Sequence, residues 1–152
     1  MTPFRSALTA LAGLRPAGVT ACFAVEDAPD QLSRGQLPAL LVRLFDEQDR
    51  RFFRERGEAF EALAFAHGPA LVTYAVSHLL LVAPEESGLG ARSHLPRLAD
   101  LLDAYFAALA EDPTLGGALV APARVTVETG TFTYGDVRCT GAALRHRWQI
   151  AY

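Results

Sequence analysis

Between Gly68-Pro69 and Ala83-Pro84 the chain runs ALVTYAVSHLLLVA, with no glycine, proline or formal charge inside. A stretch this long, dense in β-branched and aromatic residues, reads as a strand. Val72, Tyr74, Val76, His78, Leu80 and Val82 fall on one face; Leu71, Thr73, Ala75, Ser77, Leu79 and Leu81 fall on the other. Both rows are largely apolar, so the strand has to be covered on both sides and belongs near the centre of a sheet. A chain of 152 residues is long enough to supply that cover from one domain with a real core, and the whole of 1–152 reads as that single domain.

The next element is a helix. After the polar, glycine-containing loop EESGLGAR, Ser93 offers an N-cap and Pro96 suits a first turn, where a missing N–H costs little. Leu95, Leu98, Leu101, Leu102, Tyr105, Phe106 and Leu109 follow at helical spacing, and Asp112-Pro113 stops the run. Upstream, residues 3–14 scan as a short helix, Val19–Val25 as a strand and EDAPDQLSRGQ as a polar loop. Leu37-Pro38 leads into a strand over Ala39–Phe45, and Leu63–Ala66 rejoins the sheet. Downstream, Val125 and Val127 alternate with Thr126 and Glu128, and the strand runs on through Thr131–Tyr134 to a Gly135-Asp136 turn. In the last strand Ala142, Leu144, His146, Trp148, Ile150 and Tyr152 share one face and Arg145, Arg147 and Gln149 the other. Runs of strands with segregated helices predict an α+β fold: a mostly antiparallel sheet with the short N-terminal helix and the one long helix packed on one face.

Charge and composition exclude several functions. The net charge of −3 argues against a protein that coats nucleic acid through phosphate contacts, although it suits a passage along which nucleic acid slides without sticking. All fourteen cationic side chains are arginine. No uninterrupted apolar run reaches the ~18 residues of a membrane span. Cys22 and Cys139 are too few for a disulfide scaffold and read as reduced, half-buried thiols.

Catalytic signatures are missing: the sequence holds no GxSxG, Walker A, HExxH or CxxC. His67, His78, His94 and His146 show no metal-ligand spacing, so neither a metal nor a cofactor is expected. His78 and His146 sit mid-strand, and if they face one another they form a pH-sensitive pair. Adjacent Glu85 and Glu86 read as a solvated loop tip rather than an acid/base pair. Trp148 and Tyr152 read as core or interface aromatics. The chain is therefore read as a non-enzyme that keeps its surface for partners.

Residues 46–61, DEQDRRFFRERGEAFE, interrupt the alternation of elements as a charged insertion. One reading is a solvated tip or short helix with Phe52 and Phe53 tucked inward. The other is an arm docked on a neighbouring subunit, with the phenylalanines as anchors and Arg50, Arg51, Arg54 and Arg56 pairing acids opposite.

The segments LPALLVRLF, the long strand ending VAP, LADLLDAYFAALAEDPTLGGAL and TFTYGDVRCTGAALRHRWQIAY together resemble the tail terminator proteins of long-tailed bacteriophages and their neck and tail-completion relatives. Those families share a short N-terminal helix, a leucine-proline lead-in to a strand, a long strand before one long helix, a turn like Thr114-Leu115-Gly116-Gly117 and a terminal strand. The resemblance covers residues 3–152, and the charged insertion departs from it. It implies a homohexameric ring that caps the tail tube, stops its polymerisation and meets the head-completion (stopper) protein. The implied partners are further copies of the chain, the major tail tube protein, the stopper and genomic DNA passing unbound through the lumen, with no membrane. The implied location is the head-proximal end of the virion tail, after assembly in the host cytoplasm. A tail-completion or head–tail joining role on the same architecture, a non-viral cytosolic adaptor and a small enzyme are the alternatives. The ring or tube contacts are expected at Arg50, Arg51, Phe52, Phe53, Arg54 and Arg56, and in the loop at Glu85, Glu86, Leu89 and Arg92. For that loop, a plain solvated connection is the competing reading.

Overall fold

The computed structural model describes residues 2–44, 60–63, 70–85 and 91–152, with backbone alone at 60–63 and 91. The elements are α1 (Pro3–Ala12), β1 (Ala21–Phe23), β2 (Ala39–Arg43), β3 (Phe60–Leu63), β4 (Leu71–Pro84), α2 (Leu95–Glu111), β5 (Arg124–Tyr134) and β6 (Val137–Ala151). The six strands form one sheet in the order β1-β2-β4-β6-β5, with β3 also on β4. β1 and β2 pair in parallel and every other pairing is antiparallel. The fold is α+β, with both helices on one face of the sheet.

The apolar run at 71–84 is the central strand, because both of its edges are occupied. β6 follows one edge from Leu71 opposite Ala151 to Pro84 opposite Cys139. On the other edge β2 and β3 lie end to end, with Arg43 opposite Ser77 and Phe60 opposite Tyr74. The chain therefore leaves and rejoins the sheet within three residues of β4, about 10 Å along the strand. The insertion between these ends lies outside the described residues.

Alternation along the strands builds two cores. On the helix face Leu40, Val42, Val76, Leu80, Leu144, Trp148 and Ile150 pack against Ala7 and Leu11 of α1 and against Leu98, Leu101, Tyr105 and Leu109 of α2. Phe4 of α1 stacks on Tyr74 at 4.0 Å between ring centroids, and the Tyr74 hydroxyl lies 2.6 Å from that of Tyr152. On the opposite face Ala39, Leu41, Leu79, Leu81, Ala143 and Tyr134 are covered by Ala28, Leu32 and Leu37 from the stretch read as a polar loop. That stretch is pinned to the β5–β6 turn, where the Tyr134 hydroxyl donates to the Pro29 carbonyl and the Gln31 amide to Asp136.

Four local expectations need correction. The strand expected over 19–25 is reduced to Ala21–Phe23, since only β2 is beside it, and Val25–Asp27 turns as a 3-10 helix. The strand rejoining the sheet starts at Phe60, three residues before the expected Leu63, so the last two residues of the charged segment belong to it; 64–66 lie outside the described residues. Ser93 is not the cap of α2: it sits inside a 3-10 turn, Ala91–His94, and His94 occupies the cap position without a side-chain capping bond to the helix. The apolar stripe of α2 is also wider than the face the sheet covers. Leu98, Leu101, Tyr105 and Leu109 are buried, whereas Leu95 and Phe106, roughly a quarter turn away on a helix of about 3.6 residues per turn, stay 50% and 40% exposed.

Candidate functional site

The expected contact residues divide sharply. Arg50, Arg51, Phe52, Phe53, Arg54, Arg56, Glu86 and Leu89 lie outside the described residues. Glu85, at the end of β4, is tied to β6: its N–H donates to the Arg138 carbonyl at 2.8 Å and its carboxylate meets the Arg138 guanidinium at 3.3 Å. Arg92 is exposed on the 3-10 turn before α2. The structure therefore assigns Glu85 a strand-end pairing, while Arg92 remains a solvent-facing cation.

The sheet register brings together a different set of groups. His78 on β4 and His146 on β6 point to the helix face from diagonal positions, His146 opposite Val76 and His78 opposite Leu144. They do not touch directly: the ring centroids are 6.3 Å apart. Tyr105 of α2 reaches between them, its hydroxyl 2.8 Å from His78 Nδ1 and 2.6 Å from His146 Nε2. Trp148, two residues along β6, places its indole Nε1 3.2 Å from His146 Nδ1. All four side chains are at most 1% exposed.

The indole fixes the direction of this chain. An indole N–H only donates, so His146 Nδ1 must be the acceptor and the ring proton must sit on Nε2. Nε2–H then donates to the Tyr105 oxygen, and the Tyr105 hydroxyl in turn donates to His78 Nδ1. Both imidazoles are thereby held neutral as Nε2–H tautomers, and every bond runs the same way. Burial pushes the His146 pKa down to about 4. Burial, and then the neighbouring His146, push His78 well below its usual range, and burial raises Tyr105. All of these groups are buried between α2 and the sheet. The arrangement fixes the register of α2 on the sheet by a polar contact that only one docking of the helix satisfies.

Two consequences are measurable. Tyr105→Phe leaves His78 Nδ1 and His146 Nε2–H unpaired in the core, at about 1–3 kcal/mol for each. For a chain of this size that lowers Tm by ~2–4 °C per kcal/mol, and a thermal scan matching the parent would contradict the chain of bonds. For pH, both folded-state pKa values lie below the unfolded value near 6.5. The unfolded chain thus takes up protons first, and stability falls as pH drops from about 6.5 towards 4, by about 1.4 kcal/mol per unit for each histidine. NMR titration of the ring protons should show His146 still neutral at pH 5; a midpoint near 6.5 would refute its burial.

The two thiols are unoxidised, and burial raises both pKa values, at Cys22 against the opposing effect of Arg15. No group of three or more potential metal ligands occurs among the described residues. No helix among them is long and apolar enough to cross a membrane. A scan against known protein families finds no match, and neither does a search of the curated proteins.

Proposed function

We propose that this chain is a structural protein of a long-tailed phage or phage-derived particle: a tail terminator that closes into a ring on the head-proximal end of the tail tube. In this reading it is not an enzyme. The ring ends tube polymerisation, offers its free side to the stopper protein and lets DNA pass through its lumen. A tail-completion role uses the same body and ring.

What supports the reading is the continuity of the elements that carry the resemblance. Among the described residues the long strand β4, the long helix α2, the Thr114–Gly117 turn and the last strand β6 occur in that chain order and pack into one core. The turn is built by three successive positive φ angles, 50° at Leu115, 70° at Gly116 and 79° at Gly117. The Asp112 carboxylate accepts from the Gly116 N–H at 2.7 Å. The buried Leu115 seals the turn, so its leucine-glycine-glycine sequence has a conformational cause.

The reading is tested by assembling particles from which this protein has been removed. Tails of uncontrolled length, with heads left unjoined, are expected in electron micrographs. Tails of normal length carrying heads would overturn it.

A further inference from the structure

Among the described residues, the part of the sheet's second face that residues 28–37 cover and the part beyond it differ in chemistry. Below the cover supplied by residues 28–37, that face turns polar and basic. Arg43, Ser77 and Arg145 share one row across β2, β4 and β6; Ala75, Arg147 and Arg124 share the next across β4, β6 and β5. Arg43 lies over the Tyr134 ring, and Arg145 is held by Glu128 at 3.0 Å and by the Ser77 hydroxyl. Arg124 and Arg147 differ from these two. They are exposed, stand directly opposite one another on neighbouring strands and have no ion-pair partner among the described residues. Like charges in facing cross-strand positions repel, so this pair is unfavourable within the monomer unless an anion joins it.

The complementary surface lies on the other side of the molecule. α2 packs on the helix face through Leu98, Leu101, Tyr105 and Leu109, so its outermost line is Asp100, Asp103, Ala107 and Glu111. The three acids are exposed and unpaired among the described residues. Asp100 and Asp103 are i and i+3 on a helix, with Cβ atoms about 5–6 Å apart. Arg124 and Arg147, as facing cross-strand residues, have Cβ atoms about 4.5–5.5 Å apart. The two acids and the two arginines are therefore opposite in sign and set at similar Cβ spacings. Apolar groups flank the acids: Leu95 and Phe106, 50% and 40% exposed, lie on the neighbouring line of α2.

The geometry points to a second copy of this chain as the occupant of the arginine face: Asp100 and Asp103 of one protomer dock on Arg124 and Arg147 of the next. This rests on the ring reading above and supplies its contact. Because the two patches lie on opposite layers of the domain, the contact is head-to-tail, and such a contact builds a ring when its rotation closes. Single exposed ion pairs contribute little, so the paired charges orient the contact and the flanking apolar groups supply burial. Salt weakens such a contact.

The test uses two charge reversals in the full chain, Arg124→Glu with Arg147→Glu, and Asp100→Arg with Asp103→Arg. Light-scattering mass is read alone and on tail tubes, with circular dichroism to establish folding. Each folded variant is expected to fall from the ring mass to that of one protomer. Mixed one to one, the two variants should regain the ring mass, because every junction between unlike protomers again joins opposite charges. Variants that keep the parent mass, or a folded mixture that stays monomeric while the parent forms rings, would overturn this contact and leave the ring reading standing. A parent chain that is monomeric both alone and on tubes overturns both.

Discussion

Trp148→Ala is expected to cost about 3–5 kcal/mol, the range for truncating a buried tryptophan. Trp148 is fully buried opposite Tyr74, edge-on to Phe4 with centroids 6.2 Å apart and to His146 at 5.8 Å. The substitution opens a cavity where α1, β4 and β6 meet, and it also removes the donor that fixes the His146 tautomer. Trp148→Phe separates these effects. It retains much of the ring volume but loses the N–H, which leaves His146 Nδ1 unpaired, so its cost should fall to about 1–3 kcal/mol. Urea midpoints should follow the order parent, Trp148→Phe, Trp148→Ala. A Trp148→Phe midpoint equal to the parent's would show that the indole bond contributes nothing, and a mild Trp148→Ala would contradict the packing.

Gly141→Val is expected to be worse. At Gly141 the strands β4 and β6 approach so closely that any Cβ would fall inside van der Waals contact of the Leu80 carbonyl oxygen and press on the backbone of Leu81. The pairing shifts register between Leu81 and Ala83, immediately beside this contact. The obstacle is main chain in the middle of the sheet and cannot rotate away, so β4 and β6 would have to part beside the register shift. A loss of about 4 kcal/mol or more follows for valine, a large share of the ~5–15 kcal/mol that holds a domain of this kind. Gly141→Ala should be intermediate, because its single methyl meets the same oxygen. Yield of folded protein and the chemical-denaturation midpoint both report the effect; a Gly141→Ala chain as stable as the parent would show that the strands can move apart there.

The element pattern was legible because the period of burial is local. The two-sided row at 71–83, the alternation at 142–152 and the helical spacing at 98–109 each carry their own period. The α+β arrangement follows from their order. The polar chain at the centre was only half legible. His78 and His146 could be placed on rows of their strands, but their relation depends on the β4–β6 register, which no local pattern specifies. Tyr105 was visible only as one more member of an apolar stripe. The clue was its hydroxyl, since a tyrosine at a buried helical position needs a partner. The facing arginines 124 and 147 were likewise hidden until the β5–β6 register was known. Leu95 and Phe106 could be placed at helical spacing only, because that spacing marks an apolar stripe without saying how wide a face the sheet covers. Glu85 was read as the start of the loop after the strand, and it follows Pro84 there; its pairing with Arg138 depends on the β4–β6 register.

We propose that this fold closes into a ring at the end of a tail tube. Negative-stain microscopy beside light-scattering mass tests it most directly, on the purified chain over a range of concentrations and again after mixing with tail tubes. Closed rings near six protomers, free or seated on one end of the tubes, are the predicted result. A chain that remains a monomer at every concentration and leaves both tube ends bare would contradict the claim.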